Sequence, residues 1–266
     1  MNPMDSRLLA LLLVVVAFLV WRAVTRERRE YARFRRLRAT GARQKVMRRW
    51  LAESVLVMGG LSAAILLAAG DYVPAALADA QVPFAGIRDF LGTAAGTVVA
   101  IVVGVAAVAL LVVPVLLLGG TSLDDVPKVG DIGALLPRTR GELPYGTGLA
   151  VSAGVFEELM FRLALPALLF GLLGDGLLSF LLATLLFGAL HLYQKAVGMI
   201  VATVLGAIFA LLYIVSGTIL LPIVVHVLVD LRSLVLLPLV LGRVWAIDGR
   251  PGSPAAGSAT IRPRDP

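Results

Sequence analysis

LGTAAGTVVAIVVGVAAVALLVVPVLLLGG, from Leu91 to Gly120, contains no ionisable side chain. About 20 predominantly apolar residues suffice for a helix to cross a hydrocarbon core, and this run is longer. A soluble domain has no interior large enough to need such a segment. Working outward, further apolar runs cover Leu8 to Ala23, Trp50 to Gly70, Tyr145 to Phe170, Leu177 to Tyr193, Ala196 to Val215 and Thr218 to Leu241. The chain as a whole is 59% hydrophobic, above the ~45–50% of soluble domains. The runs are continuous where a membrane barrel would alternate. The expected fold is therefore all-α, a polytopic transmembrane bundle of about seven membrane helices, or eight if Thr218–Leu241 is two short spans.

Breakers divide the runs. Pro114 is placed to kink or end the Leu91–Gly120 helix, since an interior proline removes a ladder hydrogen bond. Gly171 to Gly176 (GLLGDG) reads as a tight turn, Ser216-Gly217 as another, and Asp71 to Asp89, with Pro74 and Pro83, as an amphiphilic connector on the outer face. Four regions follow: an N-terminal anchor region over 1–120, a polar loop over 121–144, a helical core over 145–242, and a Pro-, Gly- and Arg-rich tail over 243–266 expected to be disordered. The run Leu8 to Val20 is followed by Trp21 and Arg22 with no small-residue cleavage site, so it reads as a retained anchor rather than a signal peptide.

Charge is unevenly spread. Of 24 Lys and Arg, twelve lie between Arg22 and Arg49, against Glu27 and Glu30 alone. Beside membrane helices a basic segment is first a topology signal and then an attractor of anionic lipid headgroups; nucleic acid is not an expected partner. With seven crossings, twenty Lys and Arg fall on the side of segment 22–49 and only Arg7 and Arg88 on the other. The expectation is an integral membrane protein of a bacterial plasma (inner) membrane, N-terminus out, with 22–49 cytoplasmic. The chain has no cysteine, which removes thiol ligands, disulfides and a cysteine nucleophile.

Against this background three polar clusters stand out. Glu157, Glu158 and Arg162 fall within Tyr145–Phe170, with Glu157 about 18 Å along the helix from Tyr145 at 1.5 Å per residue. Each charge there costs at least ~2.5–3.5 kcal/mol to insert. Glu158 and Arg162 are four apart, so they share a face and pair. Glu157 is turned ~100° away and stays free, which suits a general base. Phe187 and His191 form the second cluster, His226 and Asp230 the third, and these are the chain's two histidines. His226 with a carboxylate one turn away is a ligand pair, or a base with its orienter. Glu157 with the histidines can activate a water, through a bound metal or by direct proton transfer. Neither HExxH nor G-x-S-x-G occurs.

The ordered set EExxxR (Glu157, Glu158, Arg162), FxxxH (Phe187, His191) and HxxxD (His226, Asp230) resembles the CPBP family, which comprises the CAAX prenyl endopeptidases and the bacteriocin-processing or Abi-type membrane proteases. The resemblance spans about Gly148 to Arg232. It implies an intramembrane endopeptidase acting on a membrane-associated protein or peptide, of a CAAX (prenylated) or leader type, within the lipid bilayer. Glu157 and His191 would activate the water, and His226 and Asp230 would stabilise the oxyanion or complete a Zn²⁺ site with them. Glu158, Arg162 and Phe187 would support. The family's eukaryotic members typically carry Asn at the position of Asp230. An ionised Asp accepts but cannot donate, so here it is protonated, orients His226 or binds metal. Both a metal-free and a metalloprotease mechanism stay open. The alternatives are a non-catalytic scaffold that protects a membrane partner and, less favoured, a proton-coupled transporter, for which no inverted repeat is visible.

Overall fold

The computed structural model describes residues 3–118 and 133–241. The tail expected over 243–266, and residues 119–132 with the first half of the polar loop, lie outside the described residues. Among these there is no strand. Helices α1 (Pro3–Trp21) and α2 (Arg28–Phe34) join through a wide, π-type turn at Arg22–Glu27. Helices α3 (Thr40–Glu53) and α4 (Gly60–Ala69) join through another at Ser54–Gly59. Short helices α5 (Val73–Gln81) and α6 (Ala85–Leu91) precede α7 (Ala94–Leu117). Helices α8 (Leu143–Glu158) and α9 (Leu165–Leu173) flank a wide turn at Leu159–Ala164. Then come α10 (Gly176–Leu190), α11 (Lys195–Ser216), and α12 (Leu220–Leu231), which continues through Arg232–Leu236 into α13 (Leu237–Val240).

Five helical stretches are long and apolar enough to cross a membrane: Ser6–Phe34, Thr40–Leu91, Ala94–Leu117, Gly176–Ser216 and Leu220–Val240. The α8–α9 segment, with three charges at Glu157, Glu158 and Arg162, is not among them. The Gly176–Ser216 stretch turns back on itself. His191–Gln194 forms a 3-10 turn, Lys195 takes a φ of 65°, and α10 then packs along α11.

Prolines explain several boundaries. The wide turns at Leu159–Ala164 and Arg232–Leu236 each end just before a proline pair, Leu165-Pro166 and Leu237-Pro238. A proline lacks the N–H owed to the fourth carbonyl back, so the ladder slips register there. Pro114 sits inside α7 without ending it. Pro222 lies in the first turn of α12, where a missing N–H costs little. The connector over Asp71–Asp89 is helical rather than irregular, in α5 and α6. The expected turn over Gly171–Gly176 narrows to Gly174-Asp175. Gly174 closes α9 at φ 66° in the left-handed region that glycine tolerates. Asp175 caps α10 by accepting from the Leu178 amide at 2.9 Å.

The segment α8–α9 is the centre of the bundle. Met160, Ala164, Leu165 and Leu168 are fully buried, enclosed by Leu8, Val15 and Leu19 of α1, Ile65 and Ala69 of α4, and Ala183 and Phe187 of α10. By contrast α7 exposes Val98, Ile101, Val105 and Leu117, the surface of a helix that faces lipid. In lipid, apolar burial alone does not drive helices together; close packing at small residues and polar contacts do. One such contact is Arg232, whose Nε donates to the Leu111 carbonyl of α7 at 2.8 Å.

A second polar clamp fixes the N-terminal helices to the core. Arg43 is wholly buried against Glu142, with Nε 3.0 and 3.1 Å from the two carboxylate oxygens. Its Nη2 donates to the Ala134 and Leu136 carbonyls, and its guanidinium lies 4.2 Å over the Phe34 ring. Arg138 donates its backbone N–H to Glu142 and a guanidinium N–H to the Leu37 carbonyl. Burial first, then neighbouring Arg43, holds the Arg138 pKa below its usual value. Removing Glu142 strands a buried cation, a change that costs about 3–5 kcal/mol. We expect Glu142→Gln to lower the thermal midpoint of the detergent-solubilised protein clearly; an unchanged melt would show that the clamp is dispensable.

Candidate active site

The three clusters read from the sequence meet where α8, α10, α11 and α12 converge, and glycines permit the approach. A Cβ at Gly154 would strike the Val227 side chain and backbone, and one at Gly146 would lie 3.0 Å from the Leu234 carbonyl. Helix α8 thus lies directly against α12, which brings Glu157 and Glu158 to His226. Gly154→Leu would force the helices apart. We expect that variant to lose the fold or the site, with wild-type stability as the contrary outcome.

Glu158 is the hinge of the arrangement. Its side chain is fully buried, with Oε2 3.1 Å from Arg162 Nε and Oε1 2.7 Å from His226 Nδ1. The arginine contact is an ion pair without an aligned hydrogen bond, since Glu158 Oε2, Arg162 Nε and Arg162 Nη1 have no hydrogen-bond partner among the described residues. Arg162 Nη2 donates to the Gly206 carbonyl at 3.0 Å. Its guanidinium sits 4.8 Å from the Phe187 ring and 5.5 Å from that of Phe209. Gly206 makes room, because a Cβ there would lie 2.9 Å from Phe187 and 3.3 Å from Arg162 Nη2.

His226 stacks on Phe209, ring centroids 4.6 Å apart and planes at 22°. Its orienting carboxylate is Glu158, from another helix, and not Asp230 one turn away as the spacing suggested. Asp230 Oδ2 stands 3.8 Å from the other ring nitrogen, Nε2, and Glu157 Oε2 stands 3.9 Å from the same atom. These are charge contacts, too long for hydrogen bonds. The division expected between the two glutamates is present. Glu158 is consumed by Arg162 and His226, whereas Glu157 makes no hydrogen bond among the described residues and is 23% exposed.

His191 arrives by a different route. It opens the 3-10 turn after α10, and its Nδ1 is 2.8 Å from the Phe187 carbonyl. A carbonyl only accepts, so Nδ1 carries the proton and Nε2 presents a lone pair. Phe187 stands between the histidines, its ring 4.7 Å from that of His191 and 6.3 Å from that of His226. The 3-10 turn and the wide turn at Leu159–Ala164 bring the clusters together without breaking α12.

Glu157 and His191 line one cavity of about 200 Å³, with Phe161, Phe187, Leu190 and Tyr193. His226 and Asp230 do not line it. Among the described residues no group of three or more His, Asp or Glu is placed to hold a metal ion. Each histidine has its Nδ1 engaged, by Glu158 or by a carbonyl, and keeps its Nε2 free of hydrogen bonds.

The remaining walls were not expected. Arg22, Arg26, Glu27, Glu30, Trp50 and Glu53 also line the cavity. Arg22 Nε bonds Glu27 at 2.8 Å, and Arg26 Nε bonds Glu30 at 3.0 Å. Arg49 and the Trp50 indole reach the second oxygen of Glu30 at 2.9 and 3.0 Å. The basic segment therefore contributes paired charges to the wall of the cavity that Glu157 lines. Its signal in the sequence was Arg26–Glu30 and Arg49–Glu53 at four-residue spacing.

Residues 139–232 match the model of a family described as type II CAAX prenyl endopeptidase Rce1-like. Over these residues, about a third of the chain, the protein is similar to that CAAX protease family. The matched stretch contains all three clusters and ends at Arg232, just past Asp230. No curated protein and no solved structure matches the chain significantly. The match is to a protease family whose members work in membranes, in keeping with the apolar helices around the site.

Proposed function

We propose that the protein is an intramembrane endopeptidase that hydrolyses a peptide bond of a membrane-associated substrate, with Glu157 and His191 activating the water. The observation that carries this reading is the shared cavity. Glu157, which makes no hydrogen bond among the described residues, and His191, whose Nε2 is unengaged, line the same space, while the neighbouring charges close on each other. Glu157 takes a proton from the water as its oxygen attacks the carbonyl carbon, and His191 Nε2 orients that water by accepting its second hydrogen. The Glu158–Arg162–His226 chain fixes α8 against α11 and α12 and leaves Glu157 its freedom. His226 Nε2, facing both Glu157 and Asp230, holds the two carboxylates near one another. In this reading the protein spans the membrane seven times, the lipid bilayer surrounds it, and segment 22–49 lies on the cytoplasmic side beside anionic headgroups.

The test is cleavage by purified protein of a panel of farnesylated peptides ending in a CAAX motif and unprenylated leader-type peptides, with and without chelator. Cleavage of at least one peptide is expected. Activity that survives chelation supports the route through Glu157 alone; loss with recovery on Zn²⁺ would assign a metal instead. No cleavage of any peptide would favour the non-catalytic scaffold.

A further inference from the structure

Peptide hydrolysis puts a negative charge on the former carbonyl oxygen, and the cavity must contain a donor for it. His226 and Asp230, the residues the family pattern offers, do not line the cavity. His226 Nδ1 is held by Glu158 at 2.7 Å and its Nε2 faces the carboxylates of Asp230 and Glu157 at 3.8 and 3.9 Å, and an ionised Asp has no proton to give. His191 presents a lone pair, because its Nδ1 proton is on the Phe187 carbonyl. Three other donors around the cavity are committed to carboxylates: Arg22 Nε to Glu27, Arg26 Nε to Glu30, and the Trp50 indole to Glu30. Arg22 Nη1 is buried and has no hydrogen-bond partner among the described residues.

Tyr193 is different. It lines the cavity with Glu157 and His191 and lies two residues beyond His191 on the same 3-10 turn. Its ring is held between His191, at 6.0 Å and 30°, and Tyr31, at 5.5 Å. The Gln194 side-chain amide donates to its hydroxyl oxygen at 2.9 Å. That bond occupies a lone pair and leaves the phenolic proton to be given. A donor to the oxygen also polarises the O–H and makes it the better donor. The turn that places the ring is pinned by Lys195, the only described non-glycine residue with positive φ, at 65°.

We propose that Tyr193 is a catalytic residue of this site, donating its O–H to the oxyanion of the tetrahedral intermediate. The proposal rests on the hydrolytic reading above. The water oxygen bonds to the carbonyl carbon as one water proton passes to Glu157. The C=O π pair withdraws onto oxygen, where the Tyr193 O–H holds it. Collapse re-forms the carbonyl, the C–N bond breaks, and the leaving amine takes the proton from Glu157.

Tyr193→Phe tests this, because it keeps both ring contacts and removes only the hydroxyl. With the panel peptide that wild type cleaves fastest, kcat should fall about 10²-fold, the usual effect of losing one oxyanion donor. KM should stay within about twofold and the thermal melt should be unchanged. In an inactive Glu157→Gln background, adding Tyr193→Phe should leave affinity for the uncleaved peptide unchanged, since the interaction belongs to the transition state. A kcat within about threefold of wild type would overturn the proposal. So would a loss expressed in KM or in peptide affinity, which would make Tyr193 a wall of the substrate site. Full cleavage by Glu157→Gln would instead sink the assignment of the base, with the Tyr193 result still read from its own kcat. No cleavage by wild type would remove both.

Discussion

Glu157→Gln should fold as wild type and cleave nothing measurable. A general base contributes about 10²–10⁴-fold to such a reaction, and the amide that replaces it cannot accept the water's proton. The fold is expected to survive because Glu157 makes no hydrogen bond among the described residues and has a single long charge contact, 3.9 Å to His226 Nε2. The neighbouring Glu158→Gln should behave in the opposite way. Glu158 is fully buried and bridges Arg162 and His226, so its loss strands a buried cation and frees a histidine. Adjacent glutamates, one controlling turnover and one controlling folding, form a sharp contrast. Size-exclusion profile, thermal melt and turnover of the two variants side by side check it; equal loss of fold in both would refute the division.

Arg162→Met should be the most damaging single change to stability. Its guanidinium lies under 2% exposed between Phe187 and Phe209, against Glu158, with one donor on the Gly206 carbonyl. Methionine fills much of the volume but leaves Glu158 charged and uncompensated by arginine in the core of the bundle. Breaking a buried pair from one side costs about 3–5 kcal/mol. Arg162→Met combined with Glu158→Met removes both charges and should recover much of that loss, because a buried pair contributes little net stability against an apolar replacement. Recovery in the double variant separates an electrostatic role from a packing role; a double variant as unstable as Arg162→Met alone would show that shape, and not charge, holds the helices.

What could be read from the sequence follows the distance over which each interaction acts. The i,i+4 relation on one helix was legible, so the pairing of Glu158 with Arg162 and the freedom of Glu157 were visible from spacing. The partner of His226 was not. Asp230 sits one turn away on the same helix, yet Glu158 takes the ring nitrogen from α8, an approach that depends on Gly154 meeting Val227. The N-terminal segment was legible as basic but not as part of the site. Its arginines are neutralised by Glu27, Glu30 and Glu53 across two helices, and no single-helix pattern joins them to Glu157. The wide turns escaped for the related reason that a register slip ahead of Pro166 or Pro238 is decided by packing as well as by the missing N–H.

The central claim is that Glu157 directs a water at a peptide carbonyl within the membrane. Its most direct measurement is cleavage in proteoliposomes prepared in H₂¹⁸O, with the N-terminal fragment, which bears the new carboxyl group, weighed by mass spectrometry. Wild type should release a fragment carrying one ¹⁸O in its new carboxyl group, and Glu157→Gln, reconstituted to the same density, should release none. Fragment formation by Glu157→Gln at the wild-type rate would contradict the account.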